Sequence, residues 1–397
     1  MDLIKYEKIG DGLSESVFFA ALNNDCLFLV QYYNLGNDIN LLDERKQNLL
    51  HYAVRNKSKD AVNLLIELSV NPNQQDRFLE TPLHIASYMG ADEIVKVLLT
   101  NNAEVDIRNN KECTPLHLAA FKGSIEVMEL LLNNNASIYN VDEAHQSVIQ
   151  YAVQSKSLKA VKFLIKQEAI INTFDLRMQS TMHYVAKYST VQIARYLLSI
   201  GVNPYIKNLM NETPLHYSIN HPDFEMVQVF LDSGLTSYDK SKYEKSPYDL
   251  AVENSRFEAE EIFNKLKNDQ AYQSRLKSNP LTLAIIMSEF DKADAYIDIY
   301  DVNNRDIFGN TPIFYAIMNN DQYLVKRLLD NDASITQIDA SNDDAIYYAT
   351  LVNNKEIIKH ILKLKVDVNK KYGGYTVKEY ALYNKNKEVY DILNEKK

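Results

Sequence analysis

The chain returns to the same phase about every thirty-three residues. TPLH stands at 81–84, at 114–117 and at 213–216. With its threonine as a marker, equivalent tetrapeptides begin at Glu15, Asn48, Thr81, Thr114, Ser147, Ser180, Thr213, Ser246, Asn279, Thr311, Asp344 and Thr376. Successive gaps are 33 residues nine times and 32 twice, so twelve repeats account for the sequence from about residue 10 onward. A period of this length restricts the fold to stacked supersecondary modules, each burying its apolar face against its neighbours. With 397 residues the chain also exceeds one ordinary compact core.

Each repeat carries the same internal pattern. A first helix opens at the marker, as in TPLHIASYM, with proline in the first turn where its missing N–H costs no hydrogen bond. A break follows at the ninth position, where Gly90, Gly123, Asn24, Asn320 and Asn353 accept the left-handed conformation that ends a helix. The second helix places apolar residues three and four apart: Ile94, Val95, Leu98 and Leu99 in one repeat, Val127, Leu130 and Leu131 in the next. Gly36, Asn102, Asn135, Gly201 and Gly234 close it. An extended segment and a polar tip come last, as in NAEVDIRNNKE at 102–112.

Five of the eight histidines share one phase: His51, His84, His117, His183 and His216. Successive imidazoles then lie about 10 Å apart along packed helices. Zinc needs its ligands at about 2 Å from one centre, so the row is no metal site, and buried imidazoles with satisfied partners explain the recurrence. Seven tyrosines share the next phase: Tyr52, Tyr151, Tyr184, Tyr217, Tyr315, Tyr348 and Tyr380. They are expected to pack between neighbouring helices with the hydroxyl at an edge. His145 and His221 fall in loops and are expected to be exposed.

Composition narrows the function. A net charge of −10 opposes general binding to nucleic acid or anionic membranes. Cys26 and Cys113 form no CxxC and read as reduced thiols. The start, MDLIKYEKIGDGLSES, lacks the apolar core of a signal peptide, and no run approaches 18 apolar residues. A cytoplasmic setting is the default expectation, with secretion independent of such a signal left open. No Gly-rich phosphate loop, GxSxG or HExxH is present. In FDKADAYIDIYD, Asp291, Asp294, Asp298 and Asp301 recur at helical spacing. Paired carboxylates suit acid–base work or a cation, but without a Gly-centred calcium loop a solvated acidic face is the plainer account. No catalytic residue, cofactor or metal is expected.

The TPLH tetrapeptides, LLTNNAEVDIRN at 98–109 and LLLNNNASIYNVD at 130–142 resemble the ankyrin-repeat family across essentially the whole chain. The resemblance implies an all-α architecture: two antiparallel helices and a hairpin-like loop per repeat, stacked into a curved solenoid. It implies that the repeated imidazole bonds hairpin backbone, with the marker hydroxyl nearby. The family's turn glycine, two residues before the marker, is kept only at Gly309 and Gly374. Lys46, Leu79, Glu112, His145 and Met178 replace it elsewhere, which predicts less regular hairpins. The segment at 263–280 lacks the usual loop and reads as an extended helix or altered loop, with a bend near 263–305. The expected organisation is a lead-in or cap at 1–13, eight repeats over 14–268, and four repeats with a C-terminal cap over 269–397.

The resemblance also implies a concave partner surface at positions one, three and four before the marker and seven and eight after it. Those positions hold Arg77, Phe78, Tyr88, Met89, Lys111, Phe121, Lys122, Arg177, Lys187, Tyr188, Met210, Tyr243, Phe308, Tyr372 and Tyr375, with Met318 and Lys242 among their neighbours in phase. Aromatics, Met and Arg are the types enriched at interface cores. Cations there outnumber Glu80, Glu143 and Glu212. The expected function is therefore a non-enzymatic protein-interaction scaffold whose partner is a protein with an acidic surface or peptide. An inhibitor, immunity or effector protein blocking one enzyme or toxin is the alternative. Nucleic-acid binding through the cationic face, or an enzyme built on Asp294 or Asp298, are remoter ones.

Overall fold

A capping residue at the marker sets where each first helix begins. In the computed structural model Thr81 lies in the extended region, and its hydroxyl accepts the backbone N–H of His84 at the start of Pro82–Met89. His84 answers by accepting the Thr81 N–H on Nδ1 at 3.2 Å. The same reciprocal cap opens Leu49–Arg55, Pro115–Lys122, Val148–Gln154, Thr181–Tyr188, Pro214–Ser218 and Pro247–Glu253. The structure describes residues 12–397 apart from 236, 238, 268–279, 287–288, 307–308, 340–341, 373–374, 384–385 and 396–397.

The helices come in pairs at the period of the sequence. Pro82–Met89 is followed by Asp92–Thr100, Pro115–Lys122 by Ile125–Asn133, Pro312–Met318 by Gln322–Asp330, and Ala345–Val352 by Lys355–Leu362. The break between partners is left-handed at Asn24, Gly90, Gly123, Asn320 and Asn353, as expected, and also at Lys57, Lys156 and Ser255. Gly123 has a second reason to be glycine, since a Cβ there would come within 3.1 Å of Ser155 and Ser157. Leu83, Leu98, Leu116 and Leu131 are fully buried between repeats. Each such side chain contributes about 1.5–3 kcal/mol of transfer free energy.

The hairpins are more regular than the missing glycines predict. Lys46, Leu79, Glu112, His145 and Met178 all take φ between 57° and 62°, the conformation glycine would have supplied. A short polar side chain five residues before the marker holds the turn. The Asp76 carboxylate accepts the N–H of Phe78 at 2.8 Å and of Glu80 at 3.0 Å, and the Asp76 N–H reaches the Glu80 carbonyl at 3.0 Å. Asp43, Asn109, Asp142, Asp175 and Asn208 bond their own hairpins in the same way. These bonds offset the roughly 1–2 kcal/mol that a side chain loses in left-handed backbone.

The chain divides into two compact units, Met1–Leu164 and Ile165–Lys397. In the first, helix pairs stack on their neighbours, with Phe18 against Tyr52 at 4.9 Å between ring centres. In the second, one apolar core runs from Leu281 through Ile313, Ile317, Tyr347 and Tyr348 to Leu393. A two-stranded antiparallel ribbon, Lys371–Tyr372 with Tyr375–Thr376, lies near its end. The sequence-based boundary at 268/269 falls outside the described residues. Helix Phe257–Lys267 runs up to that segment.

Candidate partner-binding surface

The histidine row is wired into the backbone. Nε2 of His51, His84 and His183 meets the carbonyl just before the next marker, Glu80, Cys113 and Glu212, at 3.1, 3.1 and 2.9 Å. Nδ1 accepts the N–H of its own marker, so the proton sits on Nε2 and each imidazole is neutral. Burial pushes His84 and His183 down to about 4 and His117 to about 3. Among the described residues no group of three or more His, Cys, Asp or Glu is placed to hold a metal. His221 corrects the expectation of an exposed loop: it is buried, accepts the Asp223 N–H on Nδ1 and donates from Nε2 to Ser189 at 3.0 Å.

The tyrosine row also differs from simple packing. The hydroxyls of Tyr52, Tyr151, Tyr184 and Tyr348 donate to Asp43, Asp142, Asp175 and Asp339, nine residues earlier, at 2.8, 2.8, 2.9 and 2.6 Å. Tyr315 does the same to Asp306. Each tyrosine therefore locks the turn carboxylate that shapes its own hairpin. Sequence reasoning missed these carboxylates, although their constant place five residues before the marker was a readable signal. Tyr151 also lies 3.1 Å from the Cys113 sulfur, and burial pushes that thiol up to about 11, which keeps it protonated and inert.

Neighbouring hairpin tips join in a ladder. The N–H of Arg77 meets the carbonyl of Arg45 at 2.9 Å, Asn110 meets Phe78 at 2.9 Å and Glu143 meets Lys111 at 2.9 Å. In the second unit Leu209 meets Arg177 at 2.9 Å and Lys242 meets Met210 at 2.8 Å. The backbone at these positions is used up, while the side chains of Arg77, Phe78, Lys111, Arg177, Met210 and Tyr243 are exposed.

In the first unit Tyr88 and Phe121 are exposed and stacked, 6.3 Å between centres and 12° between planes. Phe121 also meets Tyr151 edge-on at 6.3 Å. Lys122 is exposed beside Phe121 in sequence, and Met89 is half-buried. In the second unit the exposed Lys187 ammonium lies over the Tyr188 ring at 4.9 Å and the Tyr217 ring at 5.8 Å.

The later candidates behave differently. Tyr372 is buried, stacked on Tyr347 at 4.7 Å, and donates to Asp344 at 2.7 Å, so it belongs to the core and not to an exposed surface. Met318 is likewise buried, and Tyr375 is half-buried. Phe308 and the bend residues 268–279 lie outside the described residues. The acidic run is tied to the neighbouring repeat: Arg327 reaches Asp294 at 2.7 Å and Asp298 at 3.3 Å, and it holds the Asp294 carboxyl below its ordinary range. That is the electrostatics of a helix–helix ion pair; a general acid needs the opposite shift.

A family model described as ankyrin repeats (3 copies) matches residues 17–109, 101–175, 182–275 and 281–372. Among curated proteins, the glycerophosphocholine phosphodiesterase gde1 of Schizosaccharomyces pombe is 40% identical over 73 residues, 18% of this chain and 6% of that protein. An ankyrin repeat protein of Rickettsia bellii is 33% identical over 70 residues, 18% of this chain and 39% of that one. The BTB/POZ domain and ankyrin repeat-containing protein NPR5 of Oryza sativa subsp. japonica is 36% identical over 91 residues, 22% of this chain and 17% of that one. The chain thus spans well under half the length of each of these relatives. Among the described residues no helix is long and apolar enough to cross a membrane.

Proposed function

From the premise that this chain belongs to the ankyrin-repeat family, and so carries a protein–protein interaction module, we propose that it binds an acidic protein segment without catalysing a reaction on it. The stacked, exposed pair Tyr88 and Phe121 carries this reading. Both rings are exposed, and their mutual stacking holds them in place before any partner arrives, which lowers the ordering cost of binding. Arg77, Lys111 and Lys122 are exposed within the same run of repeats. They supply attraction for carboxylates around an aromatic centre. Arg177, Lys187, Tyr188, Met210, Lys242 and Tyr243 offer the same chemistry in the second unit. The match to a phosphodiesterase supports no catalytic reading, since it covers only 6% of that protein.

A photo-cross-linking residue placed at position 121 identifies the partner segment by mass spectrometry. Association of that segment is then timed at low salt with the wild-type chain and with Lys111→Glu plus Lys122→Glu. The expected results are cross-links within an Asp/Glu-rich segment and an on-rate at least about ten-fold lower in the variant. Cross-links to neutral segments, or an unchanged on-rate, overturn the acidic-partner reading.

A further inference from the structure

One phase of the repeat changes character along the chain. The seventh position after the marker holds Arg55, Tyr88, Phe121 and Gln154 in the first unit, then Lys187, Asn220 and Glu253 in the second, and none of these is buried. The next three are Ile286, Met318 and Leu351, only 7%, 8% and 9% exposed, against 53% for Tyr88 and 39% for Phe121. A partner-facing phase has become an apolar strip, and that strip is covered.

Residues of the same unit, far away in sequence, pack against the core that holds this strip. Ile206 is part of the core that contains Ile286, Met318 and Leu351, and Ile170, Phe174 and Tyr205 pack against that core. The Tyr205 ring meets Tyr315 edge-on at 5.5 Å. The buried Lys207 ammonium donates to the carbonyl of Ile286 and pairs with buried Asp239 at 3.4 Å. Asn172, also buried, donates from Nδ2 to Asp343 at 2.8 Å, and its carbonyl accepts the Tyr347 hydroxyl at 2.9 Å. Residues 172 and 343 are 171 positions apart. Stacked repeats ordinarily touch only their neighbours, so these contacts are not part of the stacking itself.

We propose that segments 170–174 and 205–207 form an intramolecular clasp, seated across the face that repeats 281–352 would otherwise offer to a partner. The occupant's chemistry is that of an extended peptide: aliphatic and aromatic side chains on the strip, with an amide at one end and an ammonium at the other. Polar contacts make the clasp specific yet releasable. A buried amide or ammonium with its partners in place adds little net stability, because both ends regain water when it opens. Opening uncovers Ile286, Met318 and Leu351 for an extended segment of the same apolar and aromatic character. A partner drives opening only by binding the uncovered state more tightly than the covered one. The clasp is independent of the acidic-partner reading, and its test needs no partner.

The test is alkylation of a reporter thiol in the full chain, resolved by peptide mass spectrometry so that Cys26 and Cys113 are read separately. Met318→Cys is compared with Tyr88→Cys, which has the same phase in the first unit. The cysteine at 318 is expected to react at least ten-fold more slowly. Adding Asn172→Ala, or the conservative Tyr347→Phe, should speed it several-fold, while hydrogen exchange in Val191–Ser199 and Gln322–Asp330 stays at the wild-type rate. A fast reaction at 318 without a clasp variant overturns the closure. A slow reaction that neither variant accelerates, or acceleration only together with exchange across the whole second unit, overturns the clasp as a separable element.

Discussion

Residues 82–133 and residues 312–362 repeat one helix pair, yet they bind repeat to repeat with different chemistry. In the first region His84 spans from its own marker N–H to the Cys113 carbonyl, and the seventh-position rings Tyr88 and Phe121 stay outside. In the second, the histidine phase holds Phe314 and Tyr347, and the seventh position holds buried Met318 and Leu351. A hydrogen-bonded imidazole satisfies the backbone of both repeats from inside the stack, which leaves the outer positions free to vary. Where aromatic rings replace it, cohesion between repeats comes from apolar area, and there the seventh position is buried too. One backbone period thus supports both an open face and a closed one.

The sharpest way to break this comparison is to truncate the same phase in both regions. Met318→Ala should destabilise by about 2–5 kcal/mol through a cavity. Tyr88→Ala should cost less than about 1 kcal/mol, for one exposed stacking contact. Urea midpoints measure both, and equal losses would erase the distinction. Next in size is the tyrosine–aspartate lock. Tyr348→Phe removes a buried donor from Asp339 and should cost about 1–3 kcal/mol, whereas Tyr151→Phe acts at a half-buried site where water can replace the hydroxyl and should cost about 0.5–1.5 kcal/mol.

Acid should act on the histidine-wired region first. His84 is held at about 4 in the folded chain against about 6.5 when unfolded. Between those values the unfolded chain carries the extra proton, so stability is full above pH 6.5 and falls as pH drops toward 4. Buried carboxyls with raised pKa, such as Asp142, act in the opposite sense, so the comparison must be made against a variant. Gln150 keeps the same cap with a side chain that cannot titrate. His84→Gln should therefore flatten the stability–pH slope over this window by up to about 1.4 kcal/mol per pH unit. An unchanged slope would mean that His84 is already protonated in the fold. The smallest effect is at the turns. Leu79→Gly should gain up to about 1 kcal/mol by relieving left-handed backbone, and Gly309→Ala should lose about as much, since both φ values are positive.

The helix pairs were legible because their signals are local. Caps, left-handed breaks and apolar spacings of three and four lie within one repeat, and nothing distant overrides them. The turn side chains were legible in principle: Asp43, Asp76, Asn109, Asp142 and Asp175 stand at one spacing, but the lock on Asp43, Asp142 and Asp175 shows only once the tyrosine nine residues later is seen on the same carboxylate. Leu79 and Met178 misled because a missing glycine was taken for a less regular hairpin. The bonds from Asp76 and Asp175 hold that conformation for any side chain.

The candidate surface was legible where repeats meet only their neighbours. Arg77, Phe78, Tyr88, Lys111, Phe121 and Lys122 are as open as their phase implies. Met318 was not, because the same phase rule assumes that nothing else reaches that position, and Tyr372 was not, because the Tyr347 ring of the neighbouring repeat stacks on it. A recurring pattern of thirty-odd residues is enough to specify a module and its stacking, since each module needs only the next one for burial. Whether a given face stays open depends on contacts such as Asn172 with Asp343, made across 171 residues. Such a pairing leaves no periodic trace, so three-dimensional proximity alone reveals it.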